Sequence, residues 1–161
     1  APIQRQSTAA AVQIPQGGTL SGSFRLHPQL ASRHVGPRRD VLVWLPPGYE
    51  SQPQQRYPVL YMHDGNNLFD RRSSFGGSEW EVDERAGQLV RSGAIEPVII
   101  VGIYNTSARM AEYTWHPMLL EGESQGGQGA DYARFLVEEL KPLIDDWCRI
   151  TARQLATHMG V

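Results

Sequence analysis

The stretch Gly122-Glu123-Ser124-Gln125-Gly126 satisfies the pattern G-x-S-x-G, and Asp145 or Asp146 and then His158 follow it along the chain. Serine, carboxylate and imidazole are the groups that nucleophilic acyl transfer needs: an attacking hydroxyl, a base to take its proton, and an acid that orients the base. The pattern works only where a buried strand delivers the serine onto a strained turn followed by a helix. Upstream stand Trp115-His116-Pro117 and then only Met118-Leu119-Leu120, a poor buried strand. A glycine-rich loop is therefore the favoured reading, with Ser124, Asp145 and His158 as the alternative catalytic set.

Asp64-Gly65-Asn66-Asn67-Leu68-Phe69-Asp70 has the look of a calcium loop, but the twelfth position is Phe75, where a bidentate glutamate is required. His27, His34, His63, His116 and His158 show no ligand spacing such as H-x-x-x-H, so no metal site is expected. Each histidine reads as structural or exposed, and His158, on an expected central strand, as a hydrogen-bonded core residue. Cys148, beside Trp147, reads as a packed thiol, and one cysteine excludes an internal disulfide. Glu138 and Glu139 are expected on the solvated face of a helix.

The elements that must position these groups follow from periodicity. Residues 20–26 alternate weakly and Arg39 to Leu45 strongly, which predicts an antiparallel pair at a sheet edge. Pro46-Pro47-Gly48 stops the ladder. Tyr57 to His63 is nearly continuously apolar, as suits an interior parallel strand. Val82, Ala86, Leu89 and Val90 fall on one helical face with Gly93 as a stop, and Pro97 to Tyr104 reads as a second buried strand. A loop is expected from Asn105 to Gly129. A long helix over Asp131 to Trp147, bent by Pro142, leads to a further strand beginning near Leu155.

Strand, helix, strand, helix, strand after a hairpin predicts an α/β fold with a mostly parallel sheet in a single domain. Open sheets of this kind place ligands at the carboxyl ends of their strands. There Trp80 could wall an acyl or aromatic group and Asn105 could hydrogen-bond. Arg109 could pair with a substrate carboxylate or phosphate, and Tyr113 closes the same loop. The structural alternatives are a hydrophobic staple for Trp80 and an ion pair with Glu112 for Arg109.

Composition narrows the partners. Fifteen Lys and Arg against seventeen Asp and Glu give a net charge of −2 across 161 residues. Without a basic run, the electrostatic term that drives nonspecific binding to nucleic acid or anionic membranes is absent, so neither partner is expected. No apolar stretch approaches the roughly 18 residues that would span a bilayer. Residues 1–18, rich in Ala, Gln, Ser and Gly, are expected as a flexible arm ahead of the domain at 19–161. The opening Ala-Pro suits either a secreted or periplasmic product after signal removal or a trimmed chain, and the compartment stays open.

Three blocks carry a resemblance: Val41 to Tyr49 (VLVWLPPGY), Tyr57 to Asp70 (YPVLYMHDGNNLFD) and Gly129 to Asp145 (GADYARFLVEELKPLID). In order and spacing they resemble the enterochelin-esterase-like esterases, from about Leu20 onward. The resemblance implies an α/β-hydrolase fold and a serine carboxylesterase that works through an acyl-serine, takes a small-molecule ester and uses no cofactor. By position it implies Gly65 or Asn66 as the oxyanion-hole donor after the strand ending at His63. It also implies a nucleophile elbow after the strand near Leu155, with Met159-Gly160-Val161 as its first part. On this reading the chain is the amino-terminal half of the domain, with serine, acid and histidine further on, and is expected to be inactive alone. Its exposed strand edge would meet the carboxyl-terminal half. A binding or assembly module that pairs through that edge, as in a homo-oligomer, is the alternative.

Overall fold

The computed structural model describes residues 10–12, 16–148 and 150–158, the last stretch as backbone. Among the described residues, eight strands and four α-helices follow in chain order. β1 (Ala10–Ala11), β2 (Ser23–Leu30), β3 (Arg39–Leu45) and β4 (Tyr57–Met62) come first. Then follow α1 (Val82–Arg91), β5 (Ile99–Ile103), α2 (Arg109–Glu112), β6 (Pro117–Leu120) and β7 (Glu123–Gly126). α3 (Gly129–Arg134) and α4 (Lys141–Trp147) are joined by a π-helical turn at Phe135–Leu140, and β8 (Ile150–His158) comes last.

The main sheet runs β1-β2-β3-β5-β4-β8. β2 and β3 are antiparallel, β3 joins β5 antiparallel, and β4 lies between β5 and β8 with both pairings parallel. This is the expected hairpin followed by a parallel α/β sheet. Leaving β4, the chain crosses through α1 to one neighbour and later through α3 and α4 to the other. The carboxyl end of β4 therefore faces the crevice where strand order reverses.

Alternation along the strands splits the core between the two faces. Val41, Val43, Leu45, Tyr57, Val59 and Tyr61 pack with Phe135, Leu140 and Ile144 beneath α3 and α4. Leu42, Trp44 and Ile100 pack with Phe24, Phe69 and Ala86 on the α1 face. The result is a three-layer domain.

Several local expectations are corrected. The strand expected over residues 20–26 is Ser23–Leu30, with an irregularity between His27 and Leu30 at the donor-less Pro28. Ala10–Ala11, within the expected arm, pair with Leu26 and Arg25, while residues 1–9 and 13–15 of that arm lie outside the described set. Leu89 is exposed, because Val82 and Ala86 already cover the sheet. Gly93, at φ 74°, ends α1 as expected, with Gly93 and Ala94 N–H groups bonded back to the Val90 and Leu89 carbonyls. Around Pro142 the long helix widens into the π turn, which accommodates the missing N–H. Glu139 is buried rather than solvated, and accepts hydrogen bonds from the Arg33 backbone N–H and Nε. The expected loop from Asn105 to Gly129 holds both α2 and the β6–β7 hairpin.

Candidate active site

His63, the residue after β4, is followed by Asp64 in the left-handed conformation, φ 53° and ψ 41°. Aspartate tolerates that region better than branched residues do, and here it turns the chain sharply into the 3-10 turn Gly65–Asn67. The Asn67 and Leu68 N–H groups close the turn on the Asp64 and Gly65 carbonyls. The N–H groups of Gly65 and Asn66 have no protein acceptor among the described residues. A first turn necessarily leaves such donors free, and free backbone donors can stabilise a developing negative charge.

Gly65 is required by the fold. A Cβ there would lie 2.4 Å from the Gly102 carbonyl carbon and 2.6 Å from the Ile103 nitrogen, so the turn can sit against β5 only with glycine. The nearest constraint on this glycine is thus the neighbouring strand.

The loop after β5 fastens the turn. Asn105 Nδ2 donates to Asp64 Oδ1 at 2.6 Å, and its backbone N–H donates to Asn66 Oδ1 at 3.4 Å. Arg109 closes a two-point clamp on Asp64, Nε to Oδ1 at 2.7 Å and Nη2 to Oδ2 at 2.8 Å. These donors hold the Asp64 carboxyl below its usual range, the Arg109 hydrogen bond being the largest cause. The Arg109 guanidinium stacks 5.0 Å from the Tyr113 ring centre, and the Asp64 N–H donates to the Tyr113 hydroxyl.

Behind the clamp, His63 Nδ1 lies 3.0 Å from the Tyr132 hydroxyl, and the rings of His63, Tyr113 and Tyr132 meet at 5.3–5.5 Å. Burial lowers the His63 pKa and raises those of Tyr113 and Tyr132. His63 is therefore a neutral hydrogen-bonding group at neutral pH.

The structure thus brings Gly65, Asn66, Asn105, Arg109 and Tyr113 together. Arg109 pairs with Asp64 and not with Glu112. The Glu112 carboxylate is instead buried against Arg39, at 3.0 and 2.6 Å. Sequence reasoning missed Asp64 as the hub and Arg39–Glu112 as its support. Local spacing offered no signal for either, since Asp64 and Arg109 are 45 residues apart and Arg39 and Glu112 are 73 apart. Trp80 is half exposed, and its backbone N–H donates to the Asn67 carbonyl. The residue where a staple would need an apolar partner is Arg85.

Ser124 lies on the exposed strand β7 opposite Leu119. Glu121 and Gly122, both at positive φ, form the two-residue turn of this hairpin, and Gly126 at φ 93° ends it. Both glycines of the motif thus answer to hairpin geometry. Asp145 pairs with Lys141 along α4. The His158 side chain and residues 159–161, which include the expected start of the elbow, lie outside the described set.

Residues 32–160 match the sequence profile of the family described as "Putative esterase", and the chain belongs to that family. A curated relative is the uncharacterized protein YjcH of Bacillus subtilis (strain 168), 26% identical over 132 residues, 82% of this chain and 46% of that protein. Among solved structures, the IroE-like serine hydrolase from Shewanella oneidensis is 30% identical with a TM-score of 0.62, over 79% of this chain and 39% of its own. The siderophore hydrolase EstA from Aspergillus nidulans has the same fold at 15% identity, TM-score 0.61, over 98% of this chain and 50% of its own. The chain spans about half the length of the curated relative it matches.

Proposed function

We propose that the chain supplies the oxyanion side of a serine carboxylesterase whose nucleophile stands on the turn after β8. The observation that carries this reading is the clamped turn Asp64–Asn67 at the carboxyl end of β4, with the Gly65 and Asn66 N–H groups free. In acyl transfer the carbonyl oxygen gains charge as the serine attacks. Donors fixed beforehand stabilise that charge without reorganising, and losing one such donor typically slows turnover by about 10²–10³-fold.

The remaining residues suit the substrate side. Trp80 and Tyr113 wall an acyl or aromatic group. Asn105 lies at the rim, and Arg109 keeps Nη1 without a protein partner among the described residues, available to a substrate oxygen. The neighbours named as serine and siderophore hydrolases support a small-molecule ester as substrate. Among the described residues no serine hydroxyl is hydrogen-bonded to a histidine ring, and the chain alone is expected to be inactive. The experiment is to read the codons that follow Val161 in the source DNA. The reading expects serine, any residue, then glycine, and a codon for another residue directly after Val161 contradicts it.

A second reading is favoured by one observation: β8 is the outermost strand on its side of the sheet among the described residues. A free ladder edge pairs with a second copy or a separate chain. Light scattering on the purified chain separates the two, since a monomer contradicts pairing with a second copy.

A further inference from the structure

Far along the chain from the clamp's arginine, the first turn of α1 gathers a second set of acids. One carboxylate oxygen from each of Glu79, Asp83 and Glu84 lies within 4.8 Å of the other two. Two acids in a helix's first turn suit its dipole, and Asp83 and Glu84 are so placed. That accounts neither for Glu79 nor for the enclosure. Among the described residues, Glu79 Oε2, Asp83 Oδ1 and Glu84 Oε2 are each shut off from solvent with no hydrogen-bond donor of their own. Asp83 is 1% exposed, and its other oxygen, Oδ2, accepts the Ser21 N–H at 2.6 Å.

Among the described residues no lysine or arginine pairs with any of the three, although Arg85 lies in the same helix and pairs with Glu81 instead. Buried carboxylate oxygens that face one another need either a shared proton or a positive charge between them. The spacing fits a metal ion: oxygens bound to one Ca²⁺ at about 2.3–2.6 Å sit at most about 5 Å apart, so three ligands within reach of one another need no backbone movement. All the donors are hard oxygens, which excludes a preference for soft or imidazole-seeking metals.

We propose that Glu79, Asp83 and Glu84 form a calcium-binding site that ties the amino end of α1 to the loop before it. The site is separate from the Asp64 clamp and independent of the esterase reading. Its effect is on the stability of the α1 layer, and through Trp80 on the loop that carries the candidate oxyanion donors.

The test is thermal unfolding of the 161-residue chain during a calcium chloride titration, with sodium chloride at matched ionic strength as control. Terbium luminescence excited through tryptophan serves as a second readout. The expected result is a saturable rise in Tm of several degrees that sodium does not reproduce. Terbium emission should appear and be displaced by calcium, and both signals should be lost in Asp83→Asn and Glu79→Gln. An unchanged Tm across millimolar calcium with no terbium emission overturns the proposal. So does a response that persists undiminished in folded Asp83→Asn and Glu79→Gln.

Discussion

At the carboxyl ends of β4 and β5, the carboxylates of Asp64 and Glu112 each meet an arginine through two nitrogen donors, whereas at the start of α1 those of Glu79, Asp83 and Glu84 meet one another. Burial does not separate the two regions, since Glu112 and Asp83 are each 1% exposed. The partner does. Arg109 draws the Asp64 carboxyl below its usual range, while burial first and the neighbouring Glu84 second push Asp83 up to about 8. Asp64 is held in its charged form by groups the chain itself provides. The cluster at α1 carries acidity that something outside the chain, or a proton, must offset.

The largest effect should come from breaking the compensated region at its most enclosed point. Glu112→Ala leaves the Arg39 guanidinium buried beside Tyr132 and Phe135 without its counter-charge, and should cost about 3–5 kcal/mol in urea unfolding. Replacing both partners, Arg39→Met with Glu112→Leu, should cost far less. If the single and double variants lose equal stability, isolation of the charge is not the reason.

Next comes the turn itself. Gly65→Ala forces a Cβ into the β5 backbone and should cost about 1–3 kcal/mol by the same measurement. A variant as stable as the parent would show that the turn does not depend on its seat against Gly102.

The uncompensated region should respond with the opposite sign. In calcium-free buffer, Asp83→Asn keeps an acceptor for the Ser21 N–H, removes the uncompensated charge, and should leave the chain unchanged or more stable by about 1 kcal/mol. A clear loss of stability would mean that the Asp83 charge has a compensating partner in the folded chain.

The pH dependence sharpens the comparison further, as a slope rather than a single loss. His27, packed edge-on against Trp147, is pushed down to about 4 by burial, so it stays neutral when folded and binds a proton on unfolding. Its contribution is full above about pH 6.5 and falls as pH drops toward 4, at no more than about 1.4 kcal/mol per pH unit. Asp64 has a lowered folded pKa, so its contribution is full above its unfolded value of 3.8 and is lost as pH falls through the folded one. The two windows adjoin without coinciding. His27→Gln should flatten stability between pH 6.5 and 4, and Asp64→Asn should flatten only the more acidic limb.

Much of the fold was legible because it rests on local pattern. β3 was bounded to the residue by its alternation, and Gly93 marked the end of α1 by a conformation few other residues adopt. The hairpin β6–β7 was missed, since its strands are exposed and carry no buried face to impose periodicity. In the site, the positions of Gly65, Asn66, Asn105, Arg109 and Tyr113 followed from strand ends. Their wiring did not, because Asp64 and Arg109 lie 45 residues apart and pair only once β4 and β5 are neighbours. The acid cluster was overlooked for a different reason. Its residues sit within six positions of one another and read as an ordinary acidic helix start until burial is known.

The central claim is that this chain provides oxyanion and substrate groups while its serines, Ser124 included, are not activated. The most direct measurement is intact mass of the folded 161-residue chain after treatment with a fluorophosphonate probe, alongside hydrolysis of p-nitrophenyl acetate and butyrate. The account predicts an unmodified mass and no turnover above buffer. A stoichiometric adduct that disappears in Ser124→Ala, with turnover lost in the same variant, would place the nucleophile on the β6–β7 hairpin and contradict it.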